Sequence, residues 1–164
     1  MHSRKCPVIS GVGEAYAMRA SGQVCPAPAS DVAPSALAFL KAARRELEAG
    51  KRDSSAANRY LAAHLAALRA AAAILAARPD PRARRKRPRN VWKALPQVEP
   101  AFGAWAARFT AGATKRRAAE AQLPRAVSRR EANKLLRDAE TFVSCAESAI
   151  GALSQQRPGP GSGS

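Results

Sequence analysis

Arg59 and His64 are the two residues of this chain whose types and spacing could do chemistry together. They stand in the stretch NRYLAAHLAALRAAAAILAAR, residues 58–78. A histidine titrates near neutral pH and can take or give a proton, and a guanidinium is a forked, permanently charged ligand for phosphate. The pair therefore suits acid–base chemistry on a phosphodiester. The alternative is structural: His64 packs at the core edge beside Tyr60, and Arg59 forms a surface salt bridge.

The stretch around this pair predicts one long helix, which begins at a cap among residues 53–55 and ends before Pro79. At about 100° per residue, its larger side chains fall on one stripe, which we predict to be the core face: Leu61, Leu65, Leu68, Ala72 and Leu75. Small side chains repeat on the opposite face: Ala63, Ala66, Ala70, Ala73 and Ala77. A helix that is apolar on both sides is either central in a bundle or shared with a second subunit.

Arg59 and His64 do not converge on such a helix. Five residues correspond to about 500°, a net separation of roughly 140° around the helix axis. His64 lies beside the leucine stripe, whereas Arg59 lies with the alanines. A composite site is still possible in a symmetric dimer, because a two-fold axis along the alanine face would bring Arg59 of one chain near His64 of the other.

The segment RYLAAH, an arginine followed after four residues by a histidine on an alanine-rich helix, resembles the R-x4-6-H motif of HEPN domains. The likeness covers about residues 35–153. It suggests a small, stand-alone bacterial member of the family, of an actinobacterial branch. It implies a dimeric bundle whose active relatives cleave RNA without a metal or other cofactor. In that reading His64 is the acid–base catalyst and Arg59 is the phosphate ligand. The resemblance also implies an alternative, a non-catalytic module that dimerises or partners a nucleotidyltransferase or another nucleic-acid enzyme.

The charge of the chain favours a polyanionic partner. Its 28 Lys and Arg against 12 Asp and Glu give a net charge of +16. RNA or another nucleic acid is the first partner to consider, and an anionic membrane surface or an acidic protein is the second. A simpler explanation is that a high-GC genome fills protein surfaces with arginine.

Much of this charge lies in the segment RPDPRARRKRPRN, residues 78–90, which its prolines keep from forming a regular helix. We predict a cationic arm that contacts phosphates, although a solvated loop or a nuclear localisation signal has the same composition. Trp92 follows directly and could stack on a base or pack in the core. The predicted nucleic-acid ligands are Arg82, Arg84, Arg85, Lys86, Arg87 and Arg89, together with Lys115, Arg116 and Arg117 of a second basic region. That region extends to Arg125, Arg129 and Arg130.

The elements that must position these residues are helices, because alanine and leucine are abundant and β-branched residues are scattered. We predict an all-α, up-and-down bundle of four to five helices over residues 34–153, between a disordered leader (1–33) and a flexible tail (154–164). The predicted helices span 35–50, about 55–78, 90–112 with an interruption at its two prolines, 114–122, and 128–153. Ser128 and Glu131 have the spacing of a capping box at the start of the last one.

The cysteines, at positions 6, 25 and 145, are widely separated and lack neighbouring ligands. They predict neither a disulfide framework nor a zinc site, and we expect no metal. The alanine-rich stretches are interrupted by arginine, so we expect no membrane span. The sequence therefore predicts a cytoplasmic protein.

Overall fold

Helices account for almost all of the chain that the computed structural model describes, residues 33–78 and 90–155. Those residues contain six α-helices and no strand, which confirms the predicted all-α bundle. A single 3-10 turn, Pro100–Phe102, joins the third helix to the fourth. The helices are α1 (Pro34–Arg52), α2 (Ala56–Ala77), α3 (Val91–Val98), α4 (Gly103–Ala111), α5 (Ala113–Glu120) and α6 (Arg129–Gln155).

The local signals in the sequence set most helix boundaries. Ser55 caps α2 by accepting a hydrogen bond from the Asn58 N–H, and α2 ends at Ala77, two residues before Pro79. At the start of α6, the Ser128 hydroxyl accepts from the Glu131 N–H at 3.2 Å, and the Glu131 carboxylate accepts from the Ser128 N–H at 2.9 Å. This is the predicted capping box.

Two boundaries differ from the prediction. The first helix begins at Pro34, where the sequence offered Ser35 as a cap, and it has no side-chain cap. Proline is well suited to the first helical position, since its missing N–H would lack a partner there in any case. The predicted third helix is interrupted at Pro100 as expected, because Pro100 starts the 3-10 turn between α3 and α4, but Pro96 lies inside α3 and does not interrupt it. The predicted leader and most of the predicted tail lie outside the described residues.

The central element is α2, which packs between α1 and α6. A short turn at residues 53–55 makes α1 and α2 antiparallel, and contacts between the starts of α2 and α6 make these two helices parallel. The shorter helices α3 and α5 pack on the remaining side of α2. Four helices of the same chain therefore pack around α2 before any partner is considered.

The alanine face of α2, not its leucine stripe, is buried within the chain. Ala63, Ala66, Ala70 and Ala73 have no exposed surface. Small side chains allow the backbones of α1 and α6 to approach closely, and Gly50 of α1 lies at such a contact. The prediction that α2 is central is therefore confirmed. The prediction of a two-fold axis along the alanine face is wrong, because α1 and α6 already cover that face.

The leucine stripe of α2, defined as residues 61, 65, 68, 72 and 75, points outward instead. Leu65 is 37% exposed, and the other four side chains are half-buried. Leu61 and Leu75 touch the edge of the core. The assignment of this stripe as the buried core face is therefore wrong.

An aromatic cluster fills the space between α2, α3, α4 and α6. Phe102, Phe109 and Phe142 are almost fully buried, and Trp92 stacks on Phe109 with ring centroids 5.1 Å apart. Trp105 stacks on the same phenylalanine at 6.1 Å. Offset stacking of this kind adds to the hydrophobic stabilisation of the core. Trp92 therefore packs in the core, one of the two roles considered for it.

Two further expectations change. Cys145 is buried in α6 and is disulfide-bonded, although the sequence predicted no disulfide framework. By length and composition, α2 also qualifies as a membrane-spanning helix, which the sequence analysis did not anticipate. Half of it is buried inside the bundle, and the central helix of a soluble protein has the same composition, so it does not indicate a membrane protein. The described ranges contain no cluster of potential metal ligands.

Candidate functional site

Arg59 sits in the first turn of α2, facing α1 and α6, where its guanidinium has three internal acceptors. Its Nε donates to the Gly50 carbonyl oxygen at 3.2 Å, and its Nη2 donates to the Asp53 carbonyl oxygen at 2.7 Å. Its Nη1 donates to the side-chain oxygen of Asn133 on α6. The last carbonyls of a helix have no intrahelical partner. Arg59 therefore caps the end of α1 and ties it to α6.

His64 lies one turn further along α2, on the side that faces the aromatic cluster. It is 4% exposed. Its ring centroid is 6.0 Å from that of Phe109 and 6.3 Å from those of Tyr60 and Trp92. No described group hydrogen-bonds to its Nε2 atom. The ring is thus packed as an apolar group.

The start of α5 closes the space above this histidine. Tyr60 donates its hydroxyl to the Gly112 carbonyl oxygen at 3.3 Å. A Cβ atom at Gly112 would lie 2.8 Å from the Tyr60 hydroxyl oxygen and 3.7 Å from His64 Nε2. Only glycine allows the α4–α5 junction to approach α2 this closely. The junction therefore shields His64 from solvent.

Burial is the main cause that lowers the pKa of His64 below its usual 6.5, and the positive charge of Arg116 lowers this pKa further. A buried cation without a partner is unfavourable, so the neutral ring is the stable form at neutral pH. A neutral imidazole can accept a proton, as a general base must. It can do so only if a substrate reaches it, and the ring is sealed in the isolated chain.

The depressed pKa makes folding sensitive to mild acid. Around pH 6.5 and below, the unfolded chain binds a proton at this histidine more readily than the folded chain does, so the free energy of unfolding falls as the pH falls. We expect the melting temperature, followed by circular dichroism, to decline between about pH 6.5 and 5, above the range where most carboxylates titrate. His64→Leu should remove this decline.

The matched control is His2→Gln, because the chain has only two histidines. This variant should keep the decline of the wild type. If His64→Leu melts with the same pH dependence as the wild type between pH 6.5 and 5, His64 is not the group responsible.

The structure does not bring Arg59 and His64 together within one chain. The two side chains lie on different sides of α2, as their spacing predicts, and contact different helices. A dimer through the leucine stripe would not unite them either, because Arg59 is about 160° around the helix from the centre of that stripe. Their assignment as a catalytic pair stays a prediction.

A buried ion pair fixes the point at which the predicted arm leaves the bundle. Arg78, the residue after α2, places its Nη1 atom 2.6 Å from a carboxylate oxygen of Glu99, and both side chains are largely buried. Asn90 caps α3 at the other end of the segment by accepting from the Trp92 N–H at 2.9 Å. The arm residues predicted to bind nucleic acid lie outside the described ranges: Arg82, Arg84, Arg85, Lys86, Arg87 and Arg89.

Two of the three basic residues predicted on α5 are neutralised. Lys115 forms an ion pair with Glu131 of α6, and Arg116 lies 3.5 Å from Glu120. Together with the capping hydrogen bonds of Ser128, Lys115 lowers the pKa of Glu131 to about 2. Arg117 is exposed and has no ion-pair partner in the described chain. Their role in nucleic-acid binding stays a prediction.

Two features were not predicted from the sequence, the Arg78–Glu99 pair and the exposed Arg52 at the end of α1. The pair gave no local signal, because its residues are 21 positions apart on either side of the arm. Arg52 belongs to no charge run. Only its position beside the start of α6 draws attention to it.

An all-α bundle with an arginine and a histidine five residues apart on its central helix has the characteristics of a HEPN-type domain. Residues 49–147 match the SAV_6107-like HEPN family, and the chain belongs to the HEPN family. The resemblance inferred from the sequence is confirmed. HEPN domains are often nucleic-acid related, and they commonly dimerise or associate with nucleic-acid enzymes. No curated protein and no solved structure gives a significant match.

Proposed function

We propose that this protein is a non-catalytic HEPN module that binds RNA and forms a homodimer. One observation supports the absence of catalysis in this proposal. The Arg59 guanidinium donates hydrogen bonds to three internal acceptors, while His64 is packed among aromatic rings. A phosphate ligand needs a guanidinium whose forked N–H donors face the phosphate, and an acid–base catalyst needs access to the substrate. Neither residue meets its requirement in the chain as it folds.

The excess of cations supports RNA as the partner. The net charge of +16 is spread over 164 residues, and the arm at 79–89 contributes six Lys and Arg against one Asp. Contacts between such cations and phosphates are independent of sequence, and their affinity comes largely from the release of counterions. A protein of this kind holds RNA without reading its bases.

The leucine stripe of α2 supports the homodimer. Its residues follow one another at spacings of four, three, four and three, which is the heptad seam of two packed helices. The inner face of α2 already packs against α1 and α6, so the stripe is a second apolar face. A second copy of α2 offers the same seam, and a two-fold axis would pair the two stripes.

A metal-independent ribonuclease is the second candidate, and the R-x4-H motif of the family is its support. In that case Arg59 and His64 would have to leave their internal contacts and contact the RNA substrate. A heteromeric partner such as a nucleotidyltransferase is the alternative occupant of the leucine stripe. A cytoplasmic location remains the expectation from the sequence.

The RNA proposal predicts binding without cleavage. A labelled poly(U) strand of about 20 nucleotides is long enough for a single site, and its anisotropy should rise with protein concentration. The logarithm of the affinity should fall with the logarithm of the salt concentration by roughly 0.7 per phosphate contact. Replacing the six arm cations with glutamine should flatten this dependence. In EDTA the RNA should remain intact, with no 2′,3′-cyclic ends.

His64→Ala and Arg117→Gln separate the two candidates. If the wild type cuts RNA in EDTA, and His64→Ala removes the cut while Arg117→Gln does not, the non-catalytic proposal is wrong and the catalytic pair gains support. If the wild type does not bind RNA at low salt, the RNA proposal itself fails.

A further inference from the structure

Three arginines are close together at one end of the bundle, where the α1–α2 turn meets the start of α6. Arg52 is the last residue of α1, and Arg129 and Arg130 are the first two residues of α6. The Arg129 guanidinium donates to the Ser54 carbonyl oxygen at 3.3 Å, which joins the two segments. All three side chains are exposed. We call this the Arg52–Arg129–Arg130 surface.

None of these three guanidinium groups forms an ion pair with an acid in the described ranges, and Glu48, whose carboxylate is near enough to interact with Arg52, is itself paired with Lys51. Across the described part of the chain, the ion pairs occupy other cations, and none includes Arg52, Arg129 or Arg130. The nearest acid in sequence, Asp53, uses one carboxylate oxygen to accept from the Ser55 N–H at 2.8 Å. Its other oxygen accepts from the Asn58 side chain at 3.2 Å.

Other cations reinforce the positive potential of this end. Arg59 lies behind the surface with its Nη2 on the Asp53 carbonyl oxygen, and exposed Arg125 precedes Arg129 by four residues. Glu131, the acid at the start of α6, is already bound to Lys115 and to Ser128. The acids near this end, Glu48, Asp53 and Glu131, are thus already engaged by other groups, and the arginines leave an excess of positive charge.

We propose that the Arg52–Arg129–Arg130 surface binds the phosphate backbone of RNA. This inference rests on the proposed RNA binding and names the part of the folded bundle that performs it. Guanidinium groups suit the task because their forked N–H donors match the oxygens of a phosphate. Arg129 keeps donors free besides the one on Ser54, since a guanidinium has five N–H groups. Arg129 and Arg130 belong to the second basic region predicted from the sequence, whereas Lys115 and Arg116 of that region are paired with acids.

The test compares two triple variants that remove the same charge. The first is Arg52→Gln/Arg129→Gln/Arg130→Gln. The matched control is Lys41→Gln/Arg45→Gln/Lys93→Gln, three exposed cations elsewhere that also form no ion pair in the described ranges. Binding of labelled poly(U) is measured by anisotropy over a range of salt concentrations.

We expect the first variant to bind RNA at least about 10-fold more weakly at low salt. The slope of the logarithm of affinity against the logarithm of salt concentration should be shallower by roughly 2, or about 0.7 per lost contact. The control should stay within about 2-fold of the wild type, apart from the small effect of net charge. Arg52→Gln/Arg130→Gln, which breaks no internal hydrogen bond, should reproduce about two thirds of the change in slope. This double variant keeps the test decisive if loss of the hydrogen bond from Arg129 to Ser54 perturbs the α1–α2 turn.

Equal affinities for the two triple variants would overturn the inference. If the arm variant loses binding while both triple variants keep it, RNA binding stands and this surface is not its site. If the wild type fails to bind, the proposed RNA function fails first and the inference fails with it.

Discussion

Replacing Arg59 with alanine is expected to lower the free energy of unfolding by about 2–3 kcal/mol, or the melting temperature by roughly 10 °C. The reason is that the Gly50 and Asp53 carbonyls and the Asn133 side chain all lose their donor. Hydrogen bonds to a charged group are each worth more than those between neutral groups. Thermal or urea unfolding followed by circular dichroism measures the change.

Arg59→Lys and Arg45→Ala complete this experiment. Lysine keeps the charge but cannot span three acceptors in different directions, so an intermediate loss is expected. Arg45 is exposed and forms no described ion pair, and its replacement should change stability by less than about 0.5 kcal/mol. An Arg59→Ala protein as stable as the wild type would mean that the guanidinium is not held inside. It would then be free to bind a phosphate, as the catalytic reading requires.

Placing a charge in the leucine stripe is expected to separate the dimer into monomers. In a two-fold dimer Leu65→Glu would bury two carboxylates opposite each other, which should weaken association by at least roughly 100-fold, or about 3 kcal/mol. The fold should survive, because Leu65 is 37% exposed in the single chain. Sedimentation velocity over a range of concentrations gives the dissociation constant, and circular dichroism reports the helix content.

Leu123→Glu is the matched control for this substitution. Leu123 is 55% exposed and lies on the α5–α6 connection, away from the stripe. It receives the same change in charge and should leave the dimer intact. A wild type that sediments as a monomer at about 100 μM, or a Leu65→Glu variant that dimerises like the wild type, would exclude the stripe as a self-association surface.

Local chemistry in the sequence was sufficient to predict the helices and the family. The Ser128–Glu131 capping box and the cap at Ser55 depend on neighbouring residues only, and Pro79 closes α2 because a proline cannot continue a helix. The arginine and histidine of the motif are likewise a local pattern. The divergence of their side chains follows from the number of residues between them.

The sequence could not reveal which face of α2 is buried. Both faces are apolar, so the periodicity showed two candidate surfaces without ranking them. The larger leucines suggested that their face is the core. The alanine face is the buried one, because its small side chains let α1 and α6 pack closely along α2. That outcome moves any dimer contact to the opposite side of the helix.

The sequence by itself therefore determined most helix boundaries, the all-α class and the positive charge, because these follow from propensity, capping and composition. Only the tertiary structure decided the surroundings of each charged or titratable group. Lys115 is neutralised because α5 lies beside Glu131 of α6, whereas Arg52 and Arg130 form no ion pair with the described residues where α1 ends and α6 begins. Pairing of charges requires proximity in space, and residues distant in the chain acquire it only when the helices pack.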